Sequence, residues 1–200
     1  MSRSQAHSPH EVDEQQSSGK GELHAVSTRR QQARVLIAFF SYTGNTRCIA
    51  QALSENLRRS CDVETVEIIP TRRRSYLHWL TYSFVPESQV EIENPQTDLS
   101  VYDAVLLGFP KWTFSCPPLN RFLHKLSGFE VPESFLFMTC GGFDEKRYLH
   151  SLTEKLANMG FNIIESLTIR RRRIREGTYR PAADAFTERV EESLRLRDKS

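Results

Sequence analysis

Short apolar runs alternate with longer amphipathic stretches along most of the chain, beginning near residue 33. The run at residues 35–40 is apolar throughout, as is typical of a strand that is covered on both faces. Similar or alternating runs predict four more strands, at residues 63–69, 104–108, 135–138 and 163–169. Strands that alternate with helices are typical of βαβ units, so the pattern predicts an α/β domain with a parallel sheet.

The amphipathic stretches predict the helices that connect these strands. Residues 46–59 place apolar side chains at helical spacing, residues 145–159 end before Gly160, and residues 181–197 begin with a proline. Between the second and third strands, apolar positions 76, 77, 80 and 84 favour a helix that covers the sheet. An exposed aromatic patch for a quinone or a protein partner is the alternative interpretation of this segment.

Residues 1–32 differ in composition from the rest of the chain. They are polar and have no hydrophobic periodicity, so they are predicted to form a disordered tail before one domain at residues 33–200. The tail contains acidic residues and no apolar signal-peptide segment, which favours a cytoplasmic protein. No apolar run approaches the roughly 20 residues that a membrane-spanning helix needs, so no membrane span is predicted.

Charge, cysteine and histidine patterns exclude several classes of site. With 27 Lys and Arg against 25 Asp and Glu, the net charge of +2 gives no general basic field that would indicate nucleic acid binding. The four cysteines are widely separated, so they are predicted to be reduced thiols, and the isolated histidines predict no metal site. No ordered Ser, His and Asp set is visible, so no catalytic residue is predicted.

Six small or polar residues, Ser41 to Thr46, separate the first predicted strand from the first predicted helix. Free N–H groups and the positive end of the helix dipole favour an anion at such a junction. The loop lacks the lysine of a nucleoside triphosphate-binding loop and the glycines of a dinucleotide fingerprint. Its hydroxyl groups therefore predict the binding of a phosphomonoester, although an ordinary capped turn is the simpler alternative.

This loop, preceded by an apolar strand, resembles the FMN-phosphate loop of the flavodoxin family. The segment from Tyr102 to Trp112 is similar to the third strand of that family and the loop after it, where an aromatic residue commonly stacks on the flavin. The segment from Phe135 to Gly142 resembles the fourth strand and the second flavin-contacting loop. The resemblance implies a three-layer α/β/α sandwich around a five-stranded parallel sheet of order 2-1-3-4-5, with FMN at the carboxyl edge.

Carried onto this chain, the resemblance implies FMN-binding residues in three loops. They are Ser41, Tyr42, Thr43, Gly44, Asn45 and Thr46 in the first loop, Pro110, Lys111, Trp112, Thr113 and Phe114 in the second, and Thr139, Cys140, Gly141, Gly142 and Phe143 in the third.

Two arginine clusters follow the second and fifth predicted strands. Arg72, Arg73 and Arg74 form one cluster, and the run from Arg170 to Arg173 forms the other. In a sheet of order 2-1-3-4-5, both clusters are expected at the edge that holds the flavin. They would attract an acidic redox protein or the phosphates of NAD(P)H, while two solvated charge runs are the simpler alternative.

Three functions fit this sequence. The leading prediction is an FMN-binding flavodoxin-like protein that transfers electrons to or from protein partners. The alternatives are an NAD(P)H-dependent FMN or quinone reductase that uses the same FMN site, and a flavodoxin-fold module whose flavin site has decayed. Fold alone does not separate these functions.

Overall fold

The computed structural model describes residues 32–94, 96–126 and 132–197. The predicted disordered tail therefore lies outside the described residues, except for residue 32. In the described ranges, no helix is long and apolar enough to span a membrane. These ranges also contain no group of three or more His, Cys, Asp or Glu side chains placed to hold a metal ion.

Five parallel strands form one sheet. They are β1 (Arg34–Phe39), β2 (Asp62–Glu67), β3 (Ala104–Pro110), β4 (Glu133–Cys140) and β5 (Asn162–Arg170). Their order is β2-β1-β3-β4-β5, with β1 paired to both β2 and β3. The predicted fold class and strand order are confirmed.

Within the described ranges, six helices connect or follow the strands, together with a short 3-10 turn at Leu99–Val101. They are α1 (Asn45–Leu57), α2 (Tyr76–Tyr82), α3 (Pro117–Lys125), α4 (Glu145–Asn158), α5 (Arg171–Arg175) and α6 (Arg180–Arg197).

The period-two alternation of strand side chains divides the core into two layers. On one face, Val35 and Ile37 of β1 pack with residues of α1 and α6, among them Leu53. On the other face, Leu36 of β1 packs with residues of α3 and α4, among them Phe122. Helices therefore cover both faces, which explains why the central strands are apolar at nearly every position.

In the middle of the sheet, Gly108 leaves room for the ring of a phenylalanine in the neighbouring strand. A Cβ atom on Gly108 in β3 would lie 2.0 Å from Cζ of Phe137 in the neighbouring strand β4. The phenylalanine ring therefore occupies the space that any larger residue at position 108 would need.

A helix is present between the second and third strands, as predicted, but the prediction that its apolar positions cover the sheet is wrong. The helix α2 is only seven residues long, and Trp79 is its only buried residue. The residues that the prediction placed towards the sheet, Tyr76, Leu77 and Phe84, are exposed. Because Trp79 fills the contact with the core, the other aromatic side chains of this segment face outward.

Candidate functional site

Three loops meet at the carboxyl edge of the sheet, after β1, β3 and β4. Because these strands are adjacent and parallel, their carboxyl ends bring the three loops together. Between the loops lies a narrow cleft of about 40 Å³, which we call the loop cleft. Its lining residues are Tyr42, Thr43, Asn45, Tyr76, Pro110, Lys111, Trp112, Thr139, Cys140 and Arg171.

The N-cap residue of α1, at the end of the first loop, provides no side-chain cap. Gly44 occupies the N-cap position with a φ of 85°, a left-handed conformation that favours glycine, and it has no side chain to cap the helix. Ser41 Oγ accepts a hydrogen bond of 3.2 Å from the backbone N–H of Arg47, and Asn45 Nδ2 donates one of 3.0 Å to Thr43 Oγ1. The open N-terminus of α1 and these side chains form an arrangement that favours an anion.

Two predicted ligand residues bond to each other instead of facing the loop cleft with free hydroxyls. Thr46 in α1 and Thr139 in β4 are both buried, and their Oγ1 atoms lie 2.9 Å apart. This contact ties the start of α1 to the end of β4. It therefore fixes the first loop relative to the third.

An aromatic cluster forms one wall of the loop cleft. The half-buried Trp112 stacks on Trp79 of α2, with ring centroids 5.7 Å apart and an interplanar angle of 20°. The edges of Phe40 and Tyr42 also contact Trp112, at 5.5 and 6.3 Å between centroids. Tyr42 in turn lies 6.0 Å from Tyr76. Trp112 is thus held by rings on several sides where it lines the loop cleft.

The second loop is attached to the end of α2. The fully buried Ser83 lies directly after α2, and its Oγ accepts a hydrogen bond of 3.2 Å from the backbone N–H of Thr113. The carbonyl oxygen of Ser83 accepts two more hydrogen bonds, from the backbone N–H groups of Phe114 and Ser115. The position of Trp112 therefore depends on the end of α2, which lies many residues before β3 in the sequence.

The third loop combines a buried thiol with exposed glycines. Burial raises the pKa of the Cys140 thiol, and its Sγ lies 3.6 Å from Oε1 of Glu145. That carboxylate also accepts a hydrogen bond of 3.1 Å from Arg170. A Cβ atom on Gly141 would lie 2.8 Å from Nη2 of Arg171, so this arginine lies directly against the glycine.

The structure brings half of the predicted FMN-binding residues into the loop cleft. These are Tyr42, Thr43, Asn45, Pro110, Lys111, Trp112, Thr139 and Cys140.

Other predicted residues lie beside the loop cleft. Phe114 is exposed and contacts Phe84 at 6.0 Å, and Phe143 is 83% exposed. Thr113 hydrogen-bonds to Ser83, and Ser41 lines a neighbouring cavity on the β2 side.

Gly44, Thr46, Gly141 and Gly142 shape the loops without lining the loop cleft.

Sequence analysis did not select Tyr76 and Arg171 as ligand residues. Tyr76 begins α2, and Arg171 is the first residue after β5, so both follow strands that flank the central three. The order 2-1-3-4-5 predicted Arg171 at this edge as part of the run from Arg170 to Arg173, but as a docking residue for a redox protein or NAD(P)H and not as part of the FMN site. The contact of Tyr76 with Tyr42 depends on the path of a long connection, for which the sequence has no pattern.

Both arginine clusters lie at the carboxyl edge of the sheet. Arg72, Arg73 and Arg74 line the neighbouring cavity together with Ser41 and Tyr42. On the other side, Arg171 lines the loop cleft itself. Positive charge therefore flanks the meeting point of the three loops, as the strand order requires.

No protein-family model matches the chain. An uncharacterized protein of Archaeoglobus fulgidus is 38% identical over 139 residues, which cover 69% of this chain and 86% of that protein.

Two solved structures share the fold at low identity. A candidate flavoprotein from Bacteroides uniformis has a TM-score of 0.64 and 21% identity, covering 79% of this chain and 99% of that one. A flavoprotein from Lactobacillus acidophilus, crystallised in complex with FMN, has a TM-score of 0.56 and 20% identity, covering 68% of this chain and 93% of that one. The chain therefore has the flavodoxin-like fold, and it belongs to one family with the Archaeoglobus protein.

Proposed function

We propose that this protein binds FMN in the loop cleft and uses it to exchange electrons with other redox partners. The observation that carries the proposal is the meeting of a helix N-terminus with a glycine N-cap, an aromatic wall and a glycine-containing loop at one edge of the sheet. The similarity to a structure that contains FMN supports the same cofactor.

The residues present suit the parts of FMN. The N-terminus of α1 and the hydroxyls of Ser41 and Thr43 would hold the phosphate. Tyr42 and Trp112 would contact the ring system, and the backbone around Gly141 would approach its polar edge.

The loop cleft is smaller than the roughly 300–1,000 Å³ of common ligand pockets. Tyr76 and Arg171, which are exposed on its outer side, are therefore expected to move outward when FMN binds.

FMN would supply the electron-transfer chemistry, and the chain would supply binding, orientation and the local electric field. Trp112 is held by its stacking on Trp79 and by the hydrogen bonds of the following loop residues to Ser83. It would therefore keep the flavin ring in a fixed orientation. Burial raises the pKa of the Cys140 thiol, so this side chain remains protonated at neutral pH and adds no negative charge beside the cofactor.

We further propose that an acidic redox protein docks over the loop cleft. The arginine clusters on either side would steer an anionic surface towards the cofactor. The two sides differ, because Arg170 and Arg172 are already in ion pairs with Glu145 and Glu176. Among the described residues, Arg171 has no such ion pair and lies at the loop cleft itself.

The first test is reconstitution with FMN. Protein loaded with excess FMN and then desalted is expected to retain the yellow absorbance of bound flavin. Thr43→Val removes a loop hydroxyl while keeping the side-chain shape, and we expect it to weaken FMN binding by about tenfold or more. Thr153→Val, in the middle of α4 and away from the loop cleft, is the matched control.

Loss of all flavin from the wild-type protein on desalting would contradict FMN as the cofactor. Equal FMN affinity in the two threonine variants and the wild type would instead contradict the assignment of the first loop to the phosphate.

A further inference from the structure

A second cavity lies beside the loop cleft, between the first loop, the end of β2 and the start of α2. Its volume is about 550 Å³, within the range of small-molecule sites of roughly 300–1,000 Å³. Arg72, Arg73 and Arg74 line one side, and Phe40 and Trp79 line another. We call it the arginine cavity. Ser41 and Tyr42, which are proposed above to contact FMN, lie at its border with the first loop, whereas Arg72, Arg73 and Arg74 have no proposed contact with FMN.

The charge in the arginine cavity is not neutralised by the described chain. Arg47, which also lines it, forms two hydrogen bonds to the carboxylate of Glu67, at 2.6 and 3.0 Å. In the described ranges, no carboxylate pairs with Arg72, Arg73 or Arg74. Three adjacent guanidinium groups repel one another, and planar, bidentate donors of this kind bind phosphate groups well. The cavity is therefore suited to a ligand that carries more than one negative charge.

A second observation lies on the other side of the same arginines. Arg72 and Arg74 also line a smaller cavity of about 330 Å³, together with His78 and Trp79. The Nε2 atom of His78 is buried and has no hydrogen-bond partner among the described residues. A buried polar nitrogen without a partner is unfavourable unless a ligand or water satisfies it. The two cavities are thus adjacent and share Arg72, Arg74 and Trp79 as lining residues. The smaller one also contains the unsatisfied nitrogen of His78.

The walls of the arginine cavity add an apolar element. Phe40, Ile68 and Trp79 are buried side chains that line it, so one part of a ligand can be flat and apolar. A ligand that joins phosphate groups to a flat ring has the chemistry of a nucleotide. Tyr42 lines both the arginine cavity and the loop cleft, so the two sites are direct neighbours.

We propose that the arginine cavity binds the phosphate-bearing part of an adenine nucleotide next to the flavin site. The binding itself depends only on the cavity. A redox role for this nucleotide rests on the proposed function. With FMN in the loop cleft, a nucleotide that reacts with it would belong to the reduced nicotinamide nucleotides. Inside the cavity, the concave shape and apolar walls favour this ligand over a segment of an acidic protein, which would instead dock over the neighbouring loop cleft.

The experiment is calorimetric titration with adenosine 2′,5′-bisphosphate and with ADP, on protein both without and with bound FMN. Saturable binding with a dissociation constant below about 1 mM is expected for at least one probe. Arg72→Gln combined with Arg74→Gln is expected to weaken binding at least about tenfold. The control is Arg58→Gln combined with Arg59→Gln, two exposed arginines at the end of α1 on the opposite edge of the sheet.

The outcomes separate the cavity from the flavin proposal. Unchanged nucleotide affinity after FMN loading supports two distinct sites, whereas competition by FMN overturns the proposal. Equal weakening by both arginine pairs shows a general charge effect and overturns it, as does the absence of binding by either probe. Tighter binding of adenosine 2′,5′-bisphosphate than of ADP would identify a 2′-phosphate as the recognised group, and the reverse order a diphosphate. The wild-type protein could also bind the nucleotide but retain no FMN. If the double variant Arg72→Gln with Arg74→Gln then loses nucleotide binding, the result supports the cavity proposal and contradicts the proposed function.

Discussion

Cys116 occupies the N-cap position of α3, and its thiol is buried in the layer between the sheet and α3. Burial raises the pKa of this thiol from the ordinary value of 9.0 to about 12, because the thiolate would lose its hydration. The neutral thiol is therefore part of the packed core, and a negative charge at this position opposes folding.

A pH dependence of stability follows from this burial. Because the pKa is higher in the folded state, the contribution of Cys116 is fully present below pH 9.0 and is lost as the pH rises towards 12. Over that range we expect the free energy of unfolding to fall by up to about 1.4 kcal/mol per pH unit from this group.

Urea unfolding of the wild-type protein and Cys116→Ala between neutral and alkaline pH measures the effect. The variant lacks this titration, so the difference in stability between the two proteins is expected to shrink as the pH rises. Stability curves that stay parallel across the alkaline range would show that the thiol does not titrate with unfolding.

Single residues were predictable from the sequence where local chemistry decides their role. Gly44 was selected because a glycine lets the backbone approach a ligand closely; in the structure its φ of 85° gives the left-handed turn into α1, and the space that a Cβ atom would fill is open. Thr46 and Thr139 were selected as separate ligand residues. Their mutual hydrogen bond joins residues that are far apart in sequence, so no local pattern could indicate it.

At the scale of elements, α2 acts as the support of the second loop. Ser83 at its end binds three successive backbone N–H groups of that loop, at residues 113–115. Trp79 within α2 stacks on Trp112, so the same short helix holds both the backbone and the ring.

Ser83→Ala is expected to loosen this connection. It leaves the backbone N–H of Thr113 without its buried acceptor, so we expect a loss of about 1–3 kcal/mol in the free energy of unfolding. FMN affinity is also expected to fall, because Trp112 becomes less firmly placed. Thermal unfolding and FMN titration measure the two effects.

The matched control is Ser193→Ala, which removes a hydrogen bond of 2.6 Å to Glu133 at the opposite edge of the sheet. It is expected to leave FMN affinity unchanged. If both serine variants bind FMN like the wild type, the support by α2 is not important for the site.

Elements were predicted well where burial on both faces makes a strand apolar throughout, as in β1 and β3. The connection that contains α2 was predicted less well. Its aromatic residues recur at helical spacing whether they face the sheet or the solvent, and the contacts of Trp79 with Phe40 and Trp112 decide which side is covered. These contacts join residues that are far apart in sequence, so no local pattern could indicate them.

At the scale of the whole molecule, a small net charge hides an uneven distribution. The chain has a net charge of +2, yet both arginine clusters lie at the edge where the three loops meet. The parallel sheet produces this result, because every residue that follows a strand emerges at the same edge. Strand order was predicted from the resemblance to the flavodoxin family, and the position of the arginines followed from it. The volumes of the cavities depend on side-chain packing and could not be predicted.

This distribution is expected to govern reactions with charged oxidants. With reduced, FMN-loaded protein, oxidation by anionic ferricyanide should slow several-fold when ionic strength is raised from about 10 to 200 mM, since salt screens the attraction. Oxidation by a cationic cobalt complex should accelerate over the same range. Stopped-flow absorbance of the flavin measures both rates.

The neutralising variant Arg171→Gln with Arg173→Gln should reduce both salt effects. Salt responses of the same sign for the two oxidants would show that the arginine clusters do not set the field at the flavin.

The stacked indoles also give the protein a built-in optical reporter. The chain contains two tryptophans, Trp79 and Trp112, and both belong to this one stack beside the loop cleft. All of its tryptophan fluorescence therefore originates from a single spot, where a bound flavin would quench it by energy transfer. Two transition dipoles 5.7 Å apart also couple, so the near-ultraviolet circular dichroism senses their mutual orientation. Occupancy of the site can thus be followed in unlabelled protein by light alone.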